Sequence, residues 1–108
     1  MKVYLVDIGI LLSEDDKEFE NYSIVYDKKY GYYDIDQYYV KDLEEAKKDV
    51  KNHINETDGN AYGIISETVI DDDVDIEDTY VEGEAYDVES IVYSLAKINN
   101  ELKENFVG

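Results

Sequence analysis

Five carboxylates between Asp71 and Glu82 recur at intervals suited to a hard, oxygen-seeking cation. Asp71, Asp73, Asp75, Glu77 and Glu82 fall at positions 1, 3, 5, 7 and 12 of a helix-loop-helix calcium site. That site needs glycine at position 6 and an apolar residue at position 8, where this chain has Ile76 and Asp78. It also needs an entering helix, whereas Tyr62 to Ile70 reads as a strand. The same residues permit a second chemistry. On an extended segment Asp71, Asp73, Asp75 and Glu77 project to one side at intervals of about 6.6 Å, twice the rise of a strand. Phosphates on one DNA strand rise about 3.4 Å per nucleotide along the axis, and their spacing along the winding backbone is larger and comparable. Such a ridge suits a groove built for DNA. Asp72, Asp78, Glu82 and Glu84 broaden it into a patch, as do Glu14, Asp15, Asp16, Glu18 and Glu20 on another loop.

Other chemistries lack their ingredients. There is no cysteine or arginine, so thiolate metal ligation, a cysteine nucleophile and a guanidinium clamp for anionic substrates are all excluded. His53 is the only imidazole, and its place near the end of a helix suits a capping role beside the negative helix terminus. No glycine-rich phosphate loop precedes a helix. With 28 acids in the chain, paired carboxylates occur at every spacing and single out none. We expect no enzyme and no cofactor. Asn55-Glu56-Thr57 matches a glycosylation sequon but comes without an export signal.

The chain has 108 residues and a formal net charge of −18, from 28 acids against 10 lysines. Residues 1–51 hold 13 acids and 8 lysines, residues 52–96 hold 13 acids and no lysine, and residues 97–108 hold two of each. Most of the excess therefore lies in one lysine-free stretch. A surface this anionic repels nucleic acid and anionic lipid, whose affinity for proteins comes chiefly from lysine and arginine. It attracts a basic protein, with fast, salt-sensitive association. Asp7 interrupts the apolar run at Val3 to Val6, so neither a signal peptide nor a membrane span is read there, and a cytoplasmic protein is expected.

The elements that must position these residues follow from periodicity and turn chemistry. Val3 to Leu12, Phe19 to Asp27 and Tyr32 to Val40 alternate as strands, with a hairpin at Ser13 to Glu18 and a turn at Lys28 to Gly31. Asp42 caps a helix over 42–55 carrying Leu43, Ala46, Val50 and Ile54. Ala61 to Ile70 and, after the acidic turn Asp71-Asp72-Asp73, Val74 to Glu82 are strands four and five. Asp87 caps a second helix with Val88, Ile91, Val92, Leu95, Ile98, Leu102 and Phe106 in one stripe. The resulting class is α+β, a single domain over 1–108. It has an antiparallel sheet of about five strands with two helices on one face, in the order β-ββα-ββα. A weak repeat matches this order: Tyr22 to Asp27 resembles Tyr62 to Glu67, and Asp34 to Val40 resembles Asp75 to Val81.

In its small size, extreme acidity, lack of cysteine and tyrosine-rich strands, the chain resembles the DNA-mimic inhibitors of phages and mobile elements. These include anti-restriction, anti-CRISPR and uracil-DNA glycosylase inhibitor proteins. The resemblance implies a non-enzymatic inhibitor of a basic, nucleic-acid-processing protein, such as a host nuclease or defence effector. No residue role carries over, because that group shares a strategy and not a fold. The alternatives are a calcium-binding module using Asp71 to Glu82 and a small acidic structural or regulatory phage protein. Tyr30, Tyr32, Tyr33, Tyr38 and Tyr39 divide between core packing and an aromatic surface for a homodimer or a partner.

Overall fold

Val3 to Leu12 carries apolar residues on both faces, which suits a strand in the middle of a sheet, and β1 (Lys2–Ser13) takes that place. The computed structural model describes residues 1–13, 22–25, 28–76 and 88–107. Among these, β2 (Tyr22–Val25), β3 (Lys28–Val40), α1 (Leu43–Glu56), β4 (Ala61–Val69), β5 (Ile91–Ile98) and β6 (Glu101–Glu104) follow β1 in chain order. The class is α+β, with one helix against an antiparallel sheet ordered β2-β3-β1-β4-β5-β6.

β1 is antiparallel to both β3 and β4, so those two run parallel to each other and α1 is the crossover between them. The expected hairpin after Ser13 is therefore corrected: β1 pairs with β3, and β2 lies beyond it. Lys28 to Gly31, expected as a turn, is the part of β3 that pairs with β2, because Tyr30 is buried and holds that end in the sheet.

Asp42 caps α1 as expected, its Oδ1 accepting from the Glu44 N–H at 3.4 Å. The stripe Ala46, Val50 and Ile54 is fully buried against Val6, Ala61, Ile65, Tyr93 and Leu95. Burying one valine or isoleucine contributes about 1.5–3 kcal/mol, so this stripe and not helix propensity holds α1 in place. Gly63 permits the approach, since a Cβ there would collide with Val50. The other end of α1 is closed by Lys97, whose ammonium donates to the carbonyls of Ile54 (2.9 Å) and Thr57.

The second expected helix does not form. Val88–Ser90 is one 3₁₀ turn, followed by the β5–β6 hairpin. Its apolar residues mislead because Ile91, Leu95 and Ile98 fall at helical spacing although they belong to a strand covered on both faces. Tyr93 and Leu95 face α1, and Ala96 and Ile98 face away from it. Asn99 and Asn100, both at positive φ (52° and 67°), make the tight turn that a helix would forbid. The two expected strand-strand-helix units are accordingly not equivalent.

Candidate functional site

The acidic run in the middle of the lysine-free stretch leaves β4 at the end of the sheet. Asp71, Asp72, Asp73 and Asp75 are all exposed. Asp72 and Asp73 form a turn closed by the Val74 N–H to the Asp71 carbonyl at 3.1 Å, so the turn is as expected. The strand from Val74 is not, because residues 74–76 are outside any strand and the acids 71, 73 and 75 do not alternate on an extended ridge. The helix entering a calcium loop is absent too, since β4 occupies its place. Asp72 pairs with the N-terminal ammonium of Met1 at 2.8 Å, and that hydrogen bond and charge hold its carboxyl below the ordinary carboxylate range. Glu77, Asp78, Glu82 and Glu84, like Glu14, Asp15, Asp16, Glu18 and Glu20, lie outside the described residues.

A second acidic surface lies along β3, where the sequence alone gives no sign of it. Ile8 of β1 pairs with Asp36 and Gly9 with Asp34, so Ile35 is unmatched and β3 carries a bulge. Simple alternation from Gln37, which opposes Asp7, would have set Ile35 against Gly9. The bulge puts Asp34 there instead. Ile35, between the exposed residues Asp34 and Asp36, is left 57 % exposed, and Tyr33 before them is 59 % exposed. On the helix-facing side Asp36, Glu45 and Asp49 surround Tyr38, whose hydroxyl donates to Asp49 Oδ2 at 2.9 Å. Burial and these three acids push its phenol above the ordinary range. Ion pairs join Met1 with Asp72, Lys2 with Glu67 and Lys47 with Glu44, and none of these three neutralises Asp34, Asp36, Glu45 or Asp49.

Beneath the bulge lies a buried carboxyl. Asp7 is 2 % exposed on the sheet face away from α1 and hydrogen-bonds Asp34 and Gln37. The Tyr62 hydroxyl lies between the two acids, 3.4 Å from Asp7 Oδ1 and in close contact with Asp34 Oδ1. Burial first, and then the charge of Asp34, push the Asp7 carboxyl up to about 8, so at neutral pH it holds a proton shared toward Asp34. The Tyr62 ring is fully buried and tilts against Tyr32 with centroids 4.8 Å apart. Gly9 makes room for both, as a Cβ there would strike the Tyr33 carbonyl and the Tyr62 ring.

No known family, curated protein or solved structure matches this chain.

His53 lies in the last turn of α1 as expected. Its ring does more than face the helix terminus, because Nε2 donates to the Gly9 carbonyl at 2.8 Å and ties α1 to β1 opposite the bulge. Among the described residues no three His, Asp or Glu side chains converge in a metal-binding group, and no helix is long and apolar enough to cross a membrane.

With a net charge of −18, the protein should gain thermal stability as salt rises. Scanning calorimetry from about 0.01 M to about 1 M salt, which contracts the Debye length from about 30 Å to about 3 Å, should show the melting temperature rising by several degrees. A flat profile would mean the charges are compensated within the fold.

Proposed function

We propose that the protein is a non-enzymatic inhibitor that binds a basic, nucleic-acid-processing protein, such as a CRISPR effector or restriction nuclease, through an acidic surface standing in for DNA. The observation that carries this reading is the concentration of exposed carboxylate at Asp34, Asp36 and Glu45 and in the Asp71 to Asp75 turn, on a chain of charge −18. Mutual repulsion of such charges costs folding stability, which is tolerable where the charge is used. The turn shifts the mimicry from an extended row of alternate acids to clustered carboxylates at the end of the sheet and along β3. Clustered charge of this kind accelerates encounter with a cationic groove and makes binding steeply salt-dependent.

The test is competition. The immobilised protein should retain a basic nucleic-acid-binding protein from bacterial lysate, and added duplex DNA or raised salt should release it. Retention indifferent to both would rule out mimicry of DNA. Neutralising Asp71, Asp73 and Asp75 together to asparagine should weaken retention at least tenfold if charge is the recognition element, and leave it unchanged if the charge serves only solubility.

A further inference from the structure

Charge brings a partner near, but an interface also needs apolar side chains that exclude water at its centre. Resting on the function just proposed, we infer that the bulged segment of β3, Tyr33 to Asp36, is the contact surface for that basic partner, with Tyr33 and Ile35 as anchors inside an anionic frame. Three independent observations lead here.

First, four consecutive residues are exposed in the middle of a strand, and two of them are a tyrosine and an isoleucine each more than half exposed. The other strongly exposed apolar residues, Val69, Val92 and Leu102, are isolated on other strands. Second, the frame has one sign. Asp34 and Asp36 alternate with the anchors, and Glu45 and Asp49 of α1 lie beside Asp36 around Tyr38. Lys48 is one turn from Glu45, yet it takes part in none of the ion pairs described. A surface of this kind is complementary to an apolar pocket rimmed by lysine or arginine, the composition of a protein face that grips both the phosphates and the bases of a nucleic acid.

Third, the fold holds the segment in place against its own stability. The bulge inverts the ordinary polarity of the strand: the isoleucine is exposed, and the exposed Asp34 hydrogen-bonds back to the buried Asp7. Gly9 is needed for the Tyr33 carbonyl to approach, and Tyr62 and Asp7 pin Asp34. Bulges commonly serve to re-aim a side chain at a functional surface. Here the rigid underside also lowers the entropy lost when Tyr33 and Ile35 are immobilised by a partner.

The decisive variant is Ile35→Glu, which makes the surface more anionic while removing an anchor, and which should fold because the side chain is exposed. Its affinity for the DNA-displaceable protein retained by the wild type should fall about tenfold or more, the loss typical of a central anchor. Leu102→Glu, an equally exposed position on the opposite edge of the sheet, should bind as the wild type does. If Ile35→Glu binds as tightly or more tightly while the Asp71, Asp73, Asp75 triple variant loses binding, the partner reads charge at the end of the sheet. The β3 surface is then overturned with the inhibitor reading intact. If the wild type retains no DNA-displaceable protein, both fall. Equal losses in Ile35→Glu and Leu102→Glu would also overturn the assignment.

Discussion

Asp7→Asn should stabilise the protein by about 4 kcal/mol at pH 7, and its advantage should vanish near pH 4. The unfolded chain releases the Asp7 proton near 3.8, whereas the folded chain holds it until about 8. Between those values the folded state binds more protons than the unfolded state, so the contribution of Asp7 is fully present below 3.8 and is lost as pH rises through about 8. Each unit corresponds to about 1.36 kcal/mol. Asparagine is neutral throughout, can accept from Tyr62 and can donate to Asp34, so the variant should show a flatter profile and overtake the wild type progressively from pH 4 upward. Urea unfolding midpoints for both proteins from pH 4 to pH 9 measure this directly. Parallel profiles would mean that Asp7 ionises normally and that the pair shares no proton. Because the rest of the acidic surface also repels itself more as pH rises, both proteins should be most stable on the mildly acidic side, and only their difference reports on Asp7.

Gly9→Ala should destabilise the fold by about 3 kcal/mol or more, at the upper end of overpacking effects. The added methyl would meet the Tyr33 carbonyl, which is backbone and held in a strand, as well as the Tyr62 ring. A side chain can rotate away, but a paired strand has to shift. Gly63→Ala offers the comparison, since the nearest atoms its methyl would meet are those of the Val50 side chain. It should cost less while still disturbing the seat of α1. Near-ultraviolet circular dichroism should separate the two cases: Gly9→Ala should change the tyrosine signal through the Tyr32 and Tyr62 pair, and Gly63→Ala should leave that signal largely intact. A Gly9→Ala protein within about 0.5 kcal/mol of wild type, the usual range of surface changes, would show that the bulge is not tightly set against β1.

Elements with one unambiguous period were readable from residues alone. β1 alternates, α1 has a cap and a stripe, β4 is apolar on both faces, and each lies within a residue or two of its expected place. The chain after Asp87 reads as a helix because Ile91, Val92, Leu95 and Ile98 fall at helical spacing, whereas a strand buried on both faces shows no single period. The arbiter was the Asn99-Asn100 pair, a turn signal in any strand reading. The acidic turn after β4 was legible, and its exposure with it. The buried pair was only half legible: Asp7 stands on the same face as Leu5 and Leu11, an acid at an inward position, and that was a usable signal. Its partner could not be named, because only a bulge sets Asp34 opposite Gly9, within reach of Asp7. A single unmatched residue in a tyrosine-rich strand leaves no mark in composition or spacing.

The strand order also governs when the protein can become itself. β1 is early in the chain, yet one of its two neighbours is β4, and the pairing of its start is completed by the Ile70 N–H bonding to the Met1 carbonyl at 2.9 Å across 69 residues of sequence. During synthesis β1 therefore emerges with both faces apolar and one edge open until residues 61–69 have left the ribosome. Topologies closed by such distant contacts fold in milliseconds to seconds rather than microseconds. For that interval the anionic charge keeps the nascent chains apart by repelling neighbouring copies while the edge of β1 is uncovered.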